Sequence, residues 1–316
     1  MSLQTPIRCL DAKTLQEAPI PAHCVIALGS FDGVHLAHRR LLRAAKHLRD
    51  TQSANASCAA FCFSDSPAEH LSQTPVPQLY SLSQKLECFR EEGMDHVLIA
   101  DFESIQDLSP EQFIQEILCG MCHCCGAVCG FNYHFGKHGA GTPKLLEEFL
   151  NQTVLTIPEI RHHGTTVSST HIRNLLMNGD VEEAALLLTK PFELIAPVLH
   201  GKALGRKLGF PTINQAFPKN RLIPAKGVYV TACKLENGQA FKAISNIGVH
   251  PTVDDQAEIN CETYLLDYEG DLYGQEVRVS FLSRIRPEIR FSDAIALQKQ
   301  VLEDIQAAKR FFETQS

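Results

Sequence analysis

Two histidines with helical spacing stand where a predicted strand gives way to a predicted helix. His35 and His38 lie in the run GSFDGVHLAHRRLL, after the apolar run HCVIALGS, which is typical of a buried strand. Residues three positions apart share one face of a helix, so both imidazoles can point at one ligand. Free amides and the dipole at the start of a helix attract anions. The pair therefore indicates a phosphate site, with packing or a surface role as the alternative.

A glycine-rich basic loop, GKALGRKLGFPTINQ, offers a second anion site. Glycines let the backbone approach an anion closely, and basic side chains supply positive charge. The glycines are Gly201, Gly205 and Gly209, and the basic residues are Lys202, Arg206 and Lys207. The loop lacks the G-K-[ST] ending of a P-loop, so a Walker site is excluded. A plain surface turn is the alternative for this loop taken alone.

Two further polar positions each have two interpretations. In NCETYLLD, alternation places Glu262 on the same strand face as Tyr264 and Leu266, so its carboxylate is either a buried functional group or an edge residue. In VSSTHIRNLL, Ser169 or Thr170 could simply cap the helix that follows. A capping role does not exclude a ligand-binding role at the same place.

The cysteine-rich run MCHCCGAVCG could form either a metal site or a buried strand. It places Cys122, Cys124, Cys125 and Cys129 around His123. Structural zinc sites usually have two ligand pairs separated by a dozen or more residues. This cluster is single and compact, and it continues into an apolar run. Cysteine behaves as a small hydrophobe in such places, so a buried strand is favoured over a metal site.

The predicted elements that position these residues change near residue 190, from alternating strands and helices to short strands. Before it, the strands HCVIALGS, ASCAAFCF, DHVLIADF, GAVCGF and TVLTIPEI alternate with amphipathic helices, and Pro110 stands in the first turn of one of them. This alternation predicts a doubly wound α/β domain with a parallel sheet, over residues 1–188.

After residue 190 the segments are short, rich in β-branched residues and separated by Gly, Pro and Asn. The runs GVYVTACKL, QAFKAISNIG, INCETYLLD and QEVRVSFLSRI predict an antiparallel barrel over residues 189–316, with ENGQ as a hairpin turn. The run SDAIALQKQVLEDIQAAKRFFE predicts a terminal amphipathic helix that caps the barrel. The fold class is therefore α/β followed by β.

Composition and net charge limit the kinds of partner that the chain is expected to bind. The 316 residues carry a net charge of −7, with 44% hydrophobic and 21% charged residues, a balance that can bury a core. This charge argues against a general nucleic-acid binder but not against nucleotides, which local amides and a few cations can bind. No run approaches the roughly 20 apolar residues of a membrane span, and the N-terminus lacks a secretory pattern. We expect a cytoplasmic protein with reduced cysteines and no membrane partner.

Several of these runs resemble the motifs of one family. GSFDGVHLAH resembles the H-x-G-H signature of nucleotidyltransferases in its FAD synthetase form, VSSTHIRNLL resembles the second signature, and GFNYHFGKHGAGTPKLL resembles the middle motif. PTIN resembles the P-T-A-N motif of riboflavin kinases, with Ile213 in place of alanine. From about Ile20 to Phe312 the chain resembles the bacterial bifunctional riboflavin kinase/FAD synthetase (FMN adenylyltransferase) family.

For the first half, the resemblance implies transfer of AMP from ATP to FMN, giving FAD and pyrophosphate. His35 and His38 would be catalytic and would hold the triphosphate, with Mg²⁺ shielding the charge. The other residues that the resemblance assigns to ATP and its phosphates are Gly29, Phe31, Asp32, Asn132, Ser168, Ser169, Thr170 and Arg173.

For the second half, the resemblance implies ATP-dependent phosphorylation of riboflavin to FMN. Glu262 would be the general base, and Thr212 and Asn214 would bind Mg²⁺. ATP-binding residues would be Gly201, Lys202, Gly205, Arg206, Gly209 and Pro211, and flavin-binding residues would be Asn246, Gly248 and Arg286. The substrates would be ATP, riboflavin and FMN, and any self-association is expected to be weak.

Three departures from the family pattern lie in the first half. Ala37 replaces a glycine between the two histidines, Ser64, Asp65 and Ser66 replace the middle of another run, and His134 replaces an arginine. These departures leave open an alternative in which only the kinase is active. A flavin-binding protein without catalysis and a transferase for another phosphate ester are the other two alternatives.

Overall fold

The computed structural model describes residues 7–10, 23–52, 56–64, 75–201, 205, 209–251 and 257–314. The chain folds into two compact units, Met1–Ser169 and Thr170–Ser316. In the part of the chain that is described, no helix combines the length and the apolar character that crossing a bilayer requires.

The first unit is built on a six-stranded parallel sheet. Its strands are β1 (Ile7–Leu10), β2 (Cys24–Leu28), β3 (Ser57–Phe63), β4 (His96–Ala100), β5 (Cys124–Gly130) and β6 (Thr153–Ile157). Their order is β1-β4-β3-β2-β5-β6, and every neighbouring pair is parallel. The doubly wound parallel sheet is confirmed, and β1 is a strand that the sequence pattern did not predict.

The chain reverses its direction across the sheet at β2. From β2 it moves to β3 on one side, while β5 pairs with β2 on the other side. In open α/β sheets, ligands bind outside the carboxyl ends of the strands at such a switch point. The loops that follow β2 and β5 therefore leave the sheet side by side, at its ligand-binding edge.

Helices cover the sheet between its strands. They are α1 (Leu36–Gln52), α2 (Leu82–Glu91), α3 (Phe102–Ile105), α4 (Pro110–Gln112) and α5 (Pro143–Phe149), with a hairpin of β7 (Arg161–His162) and β8 (Thr165–Thr166) near the end of the unit. Ser81 and Ser109 cap α2 and α4 in capping boxes, and Pro110 lies in the first turn as predicted. After α4 the predicted helix continues as a π-helix, Phe113–Met121.

The cysteine cluster packs in the core of this unit. Cys122, Cys124 and Cys129 are buried among Ile26, Leu118 and other apolar side chains, and Cys124 begins β5. Burial raises the pKa of the Cys129 thiol to about 11. Cys124 and Cys129 are small apolar side chains of β5, as the sequence indicated, whereas Cys122 directly follows the π-helix.

The second unit contains a six-stranded antiparallel sheet that curves into a barrel. After α6 (Ser169–Asn178) and α7 (Val181–Leu188), its strands are β9 (Phe192–Pro197), β10 (Ile213–Ala216), β11 (Gly227–Leu235), β12 (Ala240–Pro251), β13 (Ala257–Leu265) and β14 (Glu276–Pro287). The strand order is β10-β13-β12-β11-β14-β9. The predicted turn ENGQ connects β11 and β12, where Leu235 donates its N–H to the Gln239 carbonyl.

One backbone bridge and one side chain, rather than a full ladder, close the barrel between β9 and β10. The Leu199 N–H donates to the Asn214 carbonyl at 2.8 Å. The Gln215 side-chain amide donates to the carbonyls of Ala196 and Val277 at 2.6 and 2.8 Å. The barrel is therefore nearly closed, and its end strands are held together at Asn214 and Gln215.

The terminal helix α8 (Ala294–Thr314) lies on the outer wall of the barrel. Its residues Ile305 and Ala308 pack against Val230, Ile244 and Leu266, which alternate with inward-facing residues of their strands. The sequence predicted a helix that caps the barrel, and it is instead a cover for this wall. The difference arises because the outward-facing residues of this wall are apolar, and α8 shields them from water.

Candidate active sites

A sharp turn after β2 brings two histidines to the start of α1. Phe31, Gly33 and Val34 all have positive φ angles, of 51°, 79° and 37°. Only glycine adopts this region readily, so Phe31 and Val34 are held there by their surroundings, and both are fully buried. The turn ends where the Arg39 N–H donates to the His35 carbonyl, the first hydrogen bond of α1.

The two histidine rings stack on each other. The ring centroids of His35 and His38 are 3.8 Å apart with an angle of 13° between the planes, and Phe31 lies 5.1 Å from His38. His35 is buried, and its Nδ1 accepts the His38 backbone N–H at 3.5 Å. His38 is half-buried, and its Nδ1 has no hydrogen-bond partner within the described ranges. The pair thus stands at the helix start that the sequence predicted.

The electrostatic surroundings keep His38 neutral. Burial, together with the positive charges of His35 and Lys85, lowers the pKa of the His38 imidazole well below its usual value. A neutral imidazole can still donate one hydrogen bond to a phosphate oxygen. An anion bound here would favour the protonated form, because an opposite charge nearby stabilises it.

Asp32 ties this turn to two other segments. Its carboxylate accepts the backbone N–H groups of Leu79 and Tyr80 at 3.0 and 3.3 Å. Its carbonyl accepts the hydroxyl of Ser169 at 2.9 Å. The motif at β2 and the serine run are therefore in contact, as one shared site requires. Asp32 was predicted to bind phosphate, but these contacts give it a role in positioning, and its direct contact with ATP stays a prediction.

Asn132 lies in the neighbouring loop, directly after β5. Asn132 is exposed, and the loop is fixed by paired hydrogen bonds between Phe135 and Gly141. Gly136 has a φ of 69°, and a Cβ there would lie 2.8 Å from the Pro110 nitrogen, so only glycine fits. The His134 Nδ1–H donates to the Gly139 carbonyl at 3.0 Å.

The remaining predicted residues of this half are distributed over two places. Gly29 follows β2, and a Cβ there would lie 3.3 Å from the Phe31 ring. Thr170 and Arg173 lie in the first turns of α6, and Ser168 directly precedes that helix. Of the departures from the family pattern, Ala37 is half-buried at the start of α1, whereas Asp65 and Ser66 lie outside the described residues.

On the barrel, four predicted residues fall in one row across the strands. Asn214 pairs with Glu262, and Glu262 pairs with Asn246 on its other side. Asn246 pairs with Val228, which pairs with Arg286. Directly paired residues of neighbouring strands have their side chains on one face, with Cβ atoms about 4.5–5.5 Å apart. The structure thus brings together residues that are up to 72 positions apart in the sequence, from Asn214 to Arg286.

This row lies on the outer wall, beside α8. Tyr264 and Leu266, on the same face of β13 as Glu262, pack in the cluster that α8 covers. Glu262 itself is half-buried. Its carboxylate therefore lies next to apolar packing and still has access to a ligand, which the edge-residue interpretation did not predict.

The glycine-rich loop packs directly on the Thr212–Asn214 segment. A Cβ on Gly201 would lie 2.5 Å from the Asn214 amide nitrogen, and one on Gly205 would collide with the Phe210 carbonyl and lie 3.3 Å from the Thr212 hydroxyl. Gly209 has a φ of 89°, and Pro211 is exposed. Lys202, Arg206 and Lys207 lie outside the described residues. The glycines are thus needed for the loop to approach the two predicted metal ligands.

Arg286 is held by a residue that the sequence pattern did not single out. Its guanidinium donates to both carboxylate oxygens of Asp304 in α8, at 2.7 and 3.0 Å, and Asp304 is buried. Gln300 also donates to that carboxylate, at 3.2 Å. A signal for Asp304 existed, since it interrupts the apolar stripe of Val301, Ile305 and Ala308. A flavin contact by Arg286, Asn246 or Gly248 stays a prediction.

The two sites and the folds that carry them define a two-domain transferase that acts on phosphate groups. Residues 17–171 match the family described as FAD synthetase, and residues 188–312 match the family described as riboflavin kinase. The chain belongs to the bifunctional riboflavin kinase/FMN adenylyltransferase family.

Relatives with that description match along almost their whole length. The protein of Bacillus subtilis is 31% identical over 92% of this chain and 93% of its own. The protein of Pseudomonas fluorescens is 34% identical over 92% of this chain and 94% of its own. A crystal structure from Streptococcus pneumoniae, described as a macrolide-efflux protein, has a TM-score of 0.87 and 27% identity, over 96% of this chain and 98% of that one.

Proposed function

We propose that this chain makes both flavin nucleotides, first FMN from riboflavin and ATP, and then FAD from FMN and ATP. Membership in the family supports both activities. The structural observation that carries the proposal is that each unit has its own assembled group of polar residues. In one unit the stacked histidines stand at the switch point, and in the other the row Asn214, Glu262 and Asn246 crosses the barrel wall.

In the first unit, a phosphate oxygen of FMN would attack the α-phosphorus of ATP in line, and pyrophosphate would leave. His35, His38 and the amides at the start of α1 would bind the phosphate oxygens and stabilise their charge. Ser168, Ser169, Thr170 and Arg173 would hold the β- and γ-phosphates. No covalent intermediate is needed, because positioning and charge stabilisation account for this type of catalysis.

In the second unit, the γ-phosphoryl group of ATP would pass to the 5′-hydroxyl of riboflavin. Glu262 would accept the proton of that hydroxyl as general base, and ADP would leave. The glycine-rich loop would bind the phosphates with its backbone. Since Glu262 pairs with Asn214, the base and the proposed phosphate contacts lie on one face of the barrel.

The residues around Asn214 fit a magnesium ion. Mg²⁺ prefers oxygen ligands and is usually bound together with substrate phosphates. The Thr212 hydroxyl and the Asn214 amide oxygen are such ligands, and Gly201 and Gly205 let the backbone pack close to both residues. The ion would neutralise phosphate charge. A cytoplasmic location, weak self-association and the boundary between residues 188 and 189 stay predictions from the sequence.

One assay tests the proposal and its main alternative. The purified chain is given riboflavin with Mg-ATP in one reaction and FMN with Mg-ATP in another, and the products are separated by chromatography. We expect FMN and then FAD in the first reaction, and FAD with pyrophosphate in the second. FMN formation without any FAD would favour the kinase-only alternative, and the absence of both products would refute the proposal.

A further inference from the structure

Within the described part of the chain, Lys85 is a largely buried lysine whose ammonium has no protein partner. It lies in α2, only 4% of its surface is exposed, and its ammonium makes no hydrogen bond or ion pair with any described residue. Arg39 is also buried, but its charge is compensated by ion pairs with Glu92 at 2.8 Å and Glu91 at 2.9 Å. A buried charge is unfavourable unless an opposite charge or hydrogen bonds compensate it.

The side chain lies on the face of α2 that packs against the histidine turn. Phe89, one turn further along α2, contacts the Phe31 ring edge to face at 5.2 Å, and Phe31 in turn contacts His38. The start of α2 is fixed to the same turn through the Asp32 carboxylate. The influence of Lys85 on the pKa of His38 agrees with this placement.

The acidic side chains that the structure places around this region are engaged elsewhere. Glu92 binds both Arg39 and Arg43, and the Asp32 carboxylate is turned to the backbone amides of residues 79 and 80. The positive charge of Lys85 therefore lies near the start of α1, where the helix dipole adds to it. An anion is what would compensate this charge.

We propose that Lys85 binds a phosphate group of the nucleotide substrate, next to His35 and His38. This inference deepens the proposed adenylyl transfer and rests on it for the identity of the ligand. A lysine ammonium is a compact point charge, which suits one phosphate oxygen. Two phosphates come to this site, the polyphosphate of ATP and the phosphate of FMN, and the experiment distinguishes them.

The test compares Lys85→Met and Lys85→Arg with the control Lys46→Met. Methionine keeps the packing of the stem but removes the charge, arginine keeps the charge, and Lys46 is an exposed lysine on α1. KM and kcat are measured for FMN in FAD formation and for pyrophosphate in the reverse reaction from FAD. FMN formation by the other unit and the melting temperature show that each variant is folded.

We expect Lys85→Met to raise the KM for pyrophosphate, for FMN or for both by about 10- to 100-fold, the usual effect of losing a charged hydrogen bond. Lys85→Arg should restore part of this loss, and Lys46→Met should change nothing. The substrate whose KM rises identifies the phosphate that Lys85 binds. If folded Lys85→Met changes neither KM nor kcat/KM by more than about twofold, Lys85 is a packing residue and the inference is wrong.

A binding measurement separates this inference from the proposed function. The wild type and Lys85→Met are titrated with pyrophosphate and, separately, with FMN by calorimetry, which does not depend on turnover. If the wild type formed no FAD, the proposed function would fail, and weaker binding of either ligand in the variant would still support the anion role of Lys85. Unchanged binding of both ligands would overturn it.

Discussion

Glu262 occupies the centre of the outer row of the barrel, between Asn214 and Asn246. Glutamine has the same size but cannot accept the proton of a hydroxyl. Glu262→Gln should therefore lower FMN formation by about 10²- to 10⁴-fold, the range usual for a general base. Formation of FAD from supplied FMN should stay unchanged, because the histidine site belongs to the other unit.

The control for this prediction is Glu269→Gln, which changes an exposed carboxylate that follows the same strand. Both activities are measured on one preparation of each variant. A loss of FAD formation in Glu262→Gln would show that the two activities do not have separate sites.

His38 gives the converse prediction. Its ring stacks on His35 and stands at the start of α1, where it would bind the phosphates of ATP. His38→Ala should lower the conversion of FMN to FAD by about 10²-fold or more, by analogy with the loss of one charge-stabilising donor, and leave riboflavin phosphorylation unaffected. Retention of FAD formation would mean that the adenylyl-transfer site lies elsewhere.

The lowered pKa of His38 also predicts a pH dependence of stability. In the unfolded chain this histidine takes up a proton near its ordinary pKa of about 6.5, whereas the folded chain resists protonation. Above that pH His38 is neutral in both the folded and the unfolded chain, so it costs the folded state no stability. As the pH falls below about 6.5, folding loses up to about 1.4 kcal/mol per pH unit from this group, until the folded pKa is reached.

Urea denaturation of the substrate-free protein at several pH values checks this. Between pH 7 and pH 5.5, the unfolding free energy of the wild type should fall relative to that of His38→Asn. His47→Asn, which changes an exposed histidine of the same helix, should show no such trend. Parallel pH curves for the wild type and His38→Asn would contradict the burial argument.

At the scale of elements, Asp32 connects the β2 turn, the start of α2 and the start of α6. Asp32→Ala would leave the N–H groups of Leu79 and Tyr80 without their acceptor, and each buried unpaired group costs about 1–3 kcal/mol. We expect a lower melting temperature and a loss of FAD formation of about 10-fold or more.

Asp32→Asn distinguishes this positioning role from direct phosphate or metal binding. Both backbone amides donate to a single oxygen of Asp32, and asparagine keeps such an oxygen. The asparagine variant should therefore recover most of the stability and activity. If it were as impaired as the alanine variant, the charge of Asp32 would be acting on the ligand directly.

The elements also show how far the sequence could predict the structure. The strands and most helices followed from apolar periodicity, and the stretch 29–38 was recognised because two histidines stand where a strand turns into a helix. The π-helix Phe113–Met121 was not predicted, because its different hydrogen-bond period is compatible with the same apolar spacing. β1 is short and lies at the sheet edge, so its four residues carry little signal.

The relations between elements were less predictable. The sequence indicated Asn214, Glu262 and Arg286 one by one, but their common row depends on strand register, which a shift of one residue would invert. Lys85 and Asp304 are single polar residues on the apolar faces of amphipathic helices. Their roles depend on the groups that they face, which are the histidine turn for Lys85 and Arg286 for Asp304.

At the scale of the whole molecule, the net charge of −7 contrasts with the positive groups at the first site. A local group of His35, His38 and Lys85 at a helix start would bind anions through short-range contacts, which the total charge does not describe. The same separation applies to the chain as a whole. The proposed catalytic residues His35 and His38 lie in one unit and Glu262 in the other, so each activity can be lost without the other.

This separation makes the boundary between the units a testable quantity. Residues 170–188 group with the barrel, since α7 packs against β9 and β14 and the Arg284 guanidinium donates to the Asn178 carbonyl at the end of α6. Val181, Leu187 and Leu188 of α7 are fully buried. Burial of three such side chains contributes about 5 to 9 kcal/mol as an upper bound, close to the total stability of many domains.

We therefore expect the fragment 170–316 to fold cooperatively and to phosphorylate riboflavin, and the fragment 189–316 to be much less stable in urea. In the intact chain, Leu187→Ala should destabilise the barrel unit by about 2–5 kcal/mol, whereas Leu186→Ala, at a residue that is 58% exposed, should change its stability by less than about 0.5 kcal/mol. Equal stability of the two fragments would instead place the boundary at residues 188 and 189. It would also mean that α6 and α7 contribute nothing to the fold on which Glu262 depends.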